Sequence, residues 1–236
     1  MSKVLKVVLG VVVALVLVIG GLGAYLVLKD SADDQANLAA IGTTVPGGGG
    51  AASSSGRATP DGTWKVAPGE GVFVGYRVHE KLRGLDKDVT GRTSDVSGTM
   101  TVAGTQVTDV KLTADLTKLQ TDDPLRDGAV KRSGLETNRF PDGTFVLTEP
   151  VTLAGVPKQG EQGTASAKGN LTLHGVTRPV TVPLTAVWDG DQIRVASAGA
   201  GVRIQFQDYG FGALTSPVAS TDDFGFFELQ LRFVPA

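Results

Sequence analysis

Apolar and polar side chains alternate along residues 109–116, with Val110, Leu112, Ala114 and Leu116 on one side and Asp109, Lys111, Thr113 and Asp115 on the other. A half-buried antiparallel strand requires this pattern. The same period of two recurs at Val96, Gly98, Met100 and Val102, and again at Val180, Val182, Leu184, Ala186 and Trp188. It returns at Phe227, Leu229, Leu231 and Phe233, opposed by Phe226, Glu228, Gln230 and Arg232 as the expected wet face. Stretches 71–81, 144–151, 164–173 and 192–206 also read as strands, and Ala103-Gly104, Asp142-Gly143 and Asp189-Gly190 are turn signals between neighbours. This amounts to about eight strands.

One segment departs from the alternation. Asp122 and Asp123 suit amino-terminal caps, Pro124 suits the first helical position, and 125–133 mixes apolar with charged residues before Gly134. These features predict a single short helix. The pattern therefore predicts an all-β fold whose eight antiparallel strands close into a barrel, since closure removes exposed strand edges. A two-sheet sandwich satisfies the same alternation. An eight-stranded barrel is just wide enough to be filled by side chains or to hold one small ligand.

The amino-terminal quarter is of a different kind. Residues 7–28 carry no charge, and at ~1.5 Å per residue they reach ~33 Å, enough to cross a bilayer core. They predict a transmembrane signal-anchor helix within 1–29. A cleaved signal peptide is the alternative, although its apolar region usually runs to only about 7–15 residues. Lys3 and Lys6 precede the apolar run, and Asp30, Asp33 and Asp34 follow it. That asymmetry predicts a cytoplasmic amino terminus, so that the chain is a single-pass protein of the cell membrane with its remainder extracytoplasmic. Residues 30–60 include the run PGGGGAASSSG at 46–56 and predict a disordered linker with a reach of ~30 Å. The function is then carried by residues 61–236.

Composition removes several classes of chemistry. Lys and Arg number 22 against 24 Asp and Glu, a net charge of −2, so no extended basic field is available and nucleic acid is not an expected partner. The absence of cysteine excludes disulfides, thiolate zinc sites and thiol nucleophiles. His79 and Glu80 are neighbours on a strand and point to opposite faces. His174, between Leu173 and Gly175 at an expected hairpin turn, reads as a turn residue bonded to backbone. Asp122, Asp123 and Asp127 are accounted for by helix capping and by an Arg126–Asp127 contact. No nucleophile elbow, phosphate loop or H-E-x-x-H motif is present, and Gly199-Ala200-Gly201 runs into a strand rather than a helix. No catalytic residue, metal or cofactor is expected.

Five segments in order carry a family resemblance. They are Trp64-Lys65-Val66, then Val74-Gly75-Tyr76-Arg77-Val78, then Asp123-Pro124-Leu125-Arg126-Asp127, then Arg139-Phe140-Pro141-Asp142-Gly143-Thr144-Phe145, and finally Gly169-Asn170-Leu171-Thr172-Leu173-His174-Gly175-Val176-Thr177-Arg178-Pro179-Val180. Together they resemble the YceI-like family of lipocalin-resembling, polyisoprenoid-binding proteins, over essentially all of 61–236. The resemblance implies an extended eight-stranded barrel with a helix near one end and an apolar lumen for the tail of an isoprenoid or similar amphiphile, and it implies no enzymatic activity. One departure is Glu80, which stands where the family's first strand often carries histidine, while His79 is displaced to the other face.

On that resemblance the inward positions Val74, Tyr76, Val78, Met100, Val102, Leu112, Ala114, Phe145, Leu147, Leu173, Val182, Leu184, Phe227 and Leu229 become expected ligand contacts. Arg126 and Arg178 become candidates for a phosphorylated head group at the mouth. The expected function is a membrane-tethered binding protein holding an isoprenoid or quinone-like lipid for storage or transport. The alternative is a structural or interaction domain with a filled core, meeting protein partners through loops 84–92 and 205–223. The sequence identifies no particular protein partner.

Overall fold

The computed structural model of the protein describes residues 35–42 and 57–236. The apolar run at 7–28 lies outside them. No helix among the described residues is long and apolar enough to cross a membrane.

Thirteen strand segments among the described residues build eight lines of an antiparallel sheet. β1 (Gly62–Val66) and β2 (Phe73–Leu82) lie end to end. β3 (Leu85–Thr93) and β4 (Val96–Ala103) form the next line, β3 against β2 and β4 against β1. β5 (Gln106–Asp115) follows, then β6 (Asp142–Leu147) with β7 (Val151–Thr152), then the long hairpin of β8 (Gln162–Leu173) and β9 (Val176–Trp188). β10 (Ile193–Ser197) and β11 (Val202–Gln205) form the seventh line, and β13 (Phe224–Pro235) the eighth. β12 (Ala219–Thr221) adds to the end of β2. β13 pairs with β10 and β11 on one side and with β1 and β2 on the other. This double pairing closes the ring, giving a barrel rather than a sandwich.

Local chemistry sets the turns. At the β8–β9 hairpin His174 and Gly175 both have positive φ while Leu173 pairs with Val176, the two-residue loop that matches the right-handed twist of the flanking strands. His174 Nδ1 lies 3.1 Å from the Tyr209 carbonyl oxygen, and its ring packs on Phe140 and Phe211. The helix α1 (Pro124–Ala129) is capped by Asp123, whose Oδ1 accepts from the Leu125 N–H at 2.8 Å, and it continues as a π turn at Val130–Gly134. Asp127 accepts from Thr121 rather than meeting Arg126.

Two expectations are corrected. Residues 84–92, read as a loop for partners, are mostly β3. Their charges hid the strand, which pairs with β2 along its whole length. Secondly, Glu228, Gln230 and Arg232 on the outer face of β13 are buried rather than wet. Arg77 Nε donates to Glu228 Oε1 at 2.9 Å, and Arg92 stands 3.4 Å from Oε2. Residues 35–42, which fall in the stretch expected to be a linker, pack over the same face with Ile41 only 2 % exposed. The Asn37 N–H donates to Gln230 Oε1 at 2.8 Å, and Arg194 and Arg232 donate to the carbonyls of Leu38 and Gly42 at 2.9 and 3.0 Å. The Gly42 carbonyl of this strap and the Pro68 carbonyl accept from Nη1 and Nη2 of Arg232, which lowers the cost of burying its guanidinium fully.

The barrel's two halves differ. The end that holds the β4–β5 and β9–β10 turns is filled by Trp64, Met100, Val102, Val182, Trp188, Ile193, Leu231 and Phe233, all buried. The two indoles each find a carbonyl, Trp64 Nε1 at Pro60 (2.7 Å) and Trp188 Nε1 at Gly190 (3.0 Å). The opposite end carries α1, the β2–β3 turn and residues 206–221.

Candidate functional site

That opposite end is hollow. A cavity of about 990 Å³ starts at mid-barrel and runs outward, within the range of small-molecule sites. The strands supply Val74, Tyr76, Val78, Val89, Leu112, Ala114, Phe145, Leu171, Leu173 and Phe227 as its wall. Residues 116–135 add Leu116, Leu119, Val130 and Leu135, and the segment before β12 adds Phe211 and Leu214. The outermost lining residues include Leu125 and Val218, 83 % and 53 % exposed, so the cavity opens to solvent between α1 and residues 206–221. Apolar side chains of this size are normally covered, and here they rim the mouth.

Of the expected contacts, Val74, Tyr76, Val78, Leu112, Ala114, Phe145, Leu173 and Phe227 lie on the cavity wall. Met100, Val102, Val182 and Leu229 do not; they belong to the packed core at and below mid-barrel. Leu147 and Leu184 are also away from the cavity, half-buried against that core. The alternation gave the right inward direction for these six, but direction says nothing about what stands opposite. In the lower half two indoles fill the axis, whereas in the upper half small residues such as Ala114 and Gly143 face it. A filled core, the other option open at the sequence level, is thus confined to one half.

The polar groups of the cavity are few. Glu80 is buried and faces inward, in keeping with the register, whereas His79 is exposed on the outside beside Asp86 and Asp88. Arg126, on α1, donates through Nη2 to Glu80 Oε2 at 2.8 Å and through Nη1 to Asp122. Its charge is therefore already matched by two carboxylates, and it is not a free phosphate clamp. Arg178 is not at the mouth. It is exposed and donates through Nε to the Asp208 carbonyl at 2.9 Å. Tyr76 Oη is buried without a protein hydrogen-bond partner, and burial pushes its phenol above the ordinary value. Tyr209, also buried and without a partner for its hydroxyl, is pushed up to about 12 for the same reason.

Sequence reasoning missed Val89 and Leu171 on β3 and β8, and beyond the strands it missed lining residues in segments without period-two alternation, namely residues 116–135 and the irregular stretch holding Phe211 and Leu214. Among the described residues, no group of three or more histidines and carboxylates is placed to hold a metal ion.

Comparison with known proteins agrees with this architecture. The chain is 29 % identical over 163 residues to a UPF0312 protein of Enterobacter sp. (strain 638), covering 66 % of this chain and 78 % of the relative. It is 27 % identical over 165 residues to a UPF0312 protein of Photorhabdus laumondii, covering 66 % and 79 %. Among solved structures, a polyisoprenoid-binding domain from Saccharophagus degradans implicated in plant cell wall breakdown superposes with a TM-score of 0.56 at 17 % identity, covering 73 % of this chain and 98 % of that one; at that identity the likeness concerns the fold. The model of the YceI-like domain matches residues 64–233, and the chain belongs to the YceI-like family.

Proposed function

We propose that this chain is a lipid-binding protein that shelters the tail of an isoprenoid or similar amphiphile in the upper half of its barrel, attached to the membrane by residues 7–28 with the barrel outside the cytoplasm. The observation that carries the reading is the apolar cavity of about 990 Å³ in the upper half of the barrel. Burying a tail there contributes ~0.8 kcal/mol per CH₂, so a few isoprene units exceed the cost of association. The solved Saccharophagus domain, called polyisoprenoid-binding, has the same fold. No bond-breaking step is part of this reading.

The test is native mass spectrometry and thermal unfolding of the full chain in amphipol, with and without a polyprenol or an isoprenoid quinone. A ligand at about one hundred times its Kd adds about 2.7 kcal/mol, or about 5–11 °C in Tm. Ala114→Trp, which fills the cavity from its wall, removes that shift while the fold persists. Absence of co-purified lipid together with an unmoved Tm refutes the reading.

A further inference from the structure

Five large apolar side chains are well exposed among the described residues, and three of them, Leu85, Leu125 and Val218, gather at the upper end of β2. The β2–β3 turn projects there because Arg83 and Gly84 both take positive φ, and Leu85 follows them, paired with Leu82. Val218 is held beside the turn by its carbonyl, which accepts from the Arg83 N–H at 2.7 Å. Leu125 stands on α1, which is fastened to the same strand through Arg126 and Glu80. Apolar side chains scattered singly over a surface need no explanation, but three on one rim form a patch of the kind that marks an interaction surface.

Charge narrows what the patch meets. The carboxylates around it are occupied: Asp86 by Lys81 and His79, Asp88 by His79, Asp122 by Arg126, and Asp123 by the Leu125 N–H. Arg83 and Lys87 flank the turn on the cavity mouth and take part in none of these pairs. Unmatched cations beside exposed apolar side chains complement an anionic lipid surface, where phosphates meet the cations and the interfacial hydrocarbon takes the apolar groups. A second copy meeting the patch rim to rim brings the same cations and gains nothing from them. The strap adds a direction. It bonds Gln230, which pairs with Phe73 at the lower end of β2, so the strapped flank and the patch lie along one strand.

We propose that the rim formed by Leu85, Leu125 and Val218, together with Arg83 and Lys87, docks onto an anionic lipid surface and presents the cavity mouth to it. The proposal extends the membrane-attached reading, which brings the barrel to a bilayer, by naming the part of the barrel that touches it. The absence of cysteine allows one label per chain. Val218 and Val156 are both 53 % exposed, and they lie at opposite ends, since the loop holding Val156 is bonded to the packed end through the Gly160 N–H and the Trp188 carbonyl at 2.8 Å. Val218→Cys and Val156→Cys are each labelled with an environment-sensitive nitrobenzoxadiazole group, in the full chain reconstituted into nanodiscs of phosphatidylcholine alone or mixed with phosphatidylglycerol.

In the anionic discs the label at position 218 is expected to shift its emission to shorter wavelength and to be quenched by doxyl-labelled acyl chains, while the label at position 156 behaves as in water. A basic residue near an anionic surface is worth about fivefold in partition, so Arg83→Ala combined with Lys87→Ala is expected to lower the ratio of docked to undocked barrel by about twenty- to thirtyfold. A position-218 label as wet as the position-156 label in both discs overturns the proposal. So does burial of that label that ignores both phosphatidylglycerol and the double variant, or burial that grows with protein concentration without quenching by the acyl chains, which reports a second copy instead. If the chain does not stay with the discs, attachment by residues 7–28 falls on its own. The same two labels are then read on added vesicles of the same lipids, and the docking stands or falls by the same criteria.

Discussion

Leu112 and Leu231 both point into the barrel, one on the wall of the hollow half and the other in the packed half, 8 % and 1 % exposed. Truncating each to alanine removes the same three carbons, worth about 2.4 kcal/mol at ~0.8 kcal/mol per CH₂. At Leu231 the neighbours are held by a closed ring of strands and collapse poorly, so a new void is added to that loss. The total falls at about 3–5 kcal/mol. At Leu112 the lost methyls merge with a space that already exists, so little beyond the transfer loss is expected, about 2–3 kcal/mol. The difference of about 1–2 kcal/mol corresponds to about 2–8 °C in Tm for a chain of this size. Urea unfolding of both variants, followed by circular dichroism with a shared m-value, measures it. A Leu112→Ala loss equal to or larger than that of Leu231→Ala refutes a hollow upper half, whatever any ligand assay reports.

Three further outcomes follow from the outer face. Glu228→Gln leaves the Arg77 and Arg92 guanidinium groups without their buried counter-charge, which costs about 3–5 kcal/mol and lowers Tm by about 6–20 °C; an unchanged Tm in differential scanning calorimetry contradicts this. His79 is held above its ordinary 6.5 by its hydrogen bond to Asp88. Its contribution is therefore complete below pH 6.5 and disappears as pH rises through the raised value. The Tm gap between the parent and His79→Ala narrows as pH rises from below 6.5 through the raised value, and a gap that widens contradicts the assignment. Ile41→Asp places a charge under the strap; hydrogen exchange is expected to quicken at 35–42 and along the Gln230 end of β13 while the β8–β9 hairpin keeps its protection.

Much of the fold was legible because barrel strands with one buried face advertise it. The 109–116 alternation located β5, although a bulge pairing Lys111 with Thr99 and Thr108 with Thr101 takes Val110 out of strict register. β3 was illegible because Lys87 stands on the cavity side between the outward Asp86 and Asp88, so its first half shows no apolar alternation; it is held by pairing with β2 and by Tyr76 lying over Gly91. The burial of Gln230 was hidden for another reason. Its covering residue, Asn37, is 193 positions away, and no local pattern carries that information. Arg126 shows the same split, since its Asp122 partner is four residues away on the same turn and its Glu80 partner 46 away. Cavity and core share one inward pattern, so the emptiness of the upper half depends on side-chain volume summed across the axis.

The strap also changes the length of the leash. With residues 35–42 fastened to β13 and residue 57 onward fastened again at Trp64, the glycine-rich run between them joins two points on the same body and gives the barrel no reach. In the membrane-attached reading, only the six residues 29–34 separate the apolar run from the first fastening, in place of the thirty-one residues 30–60 of the expected linker. On that reading the barrel would ride close against the lipid surface by its strapped flank, with a narrow choice of tilt.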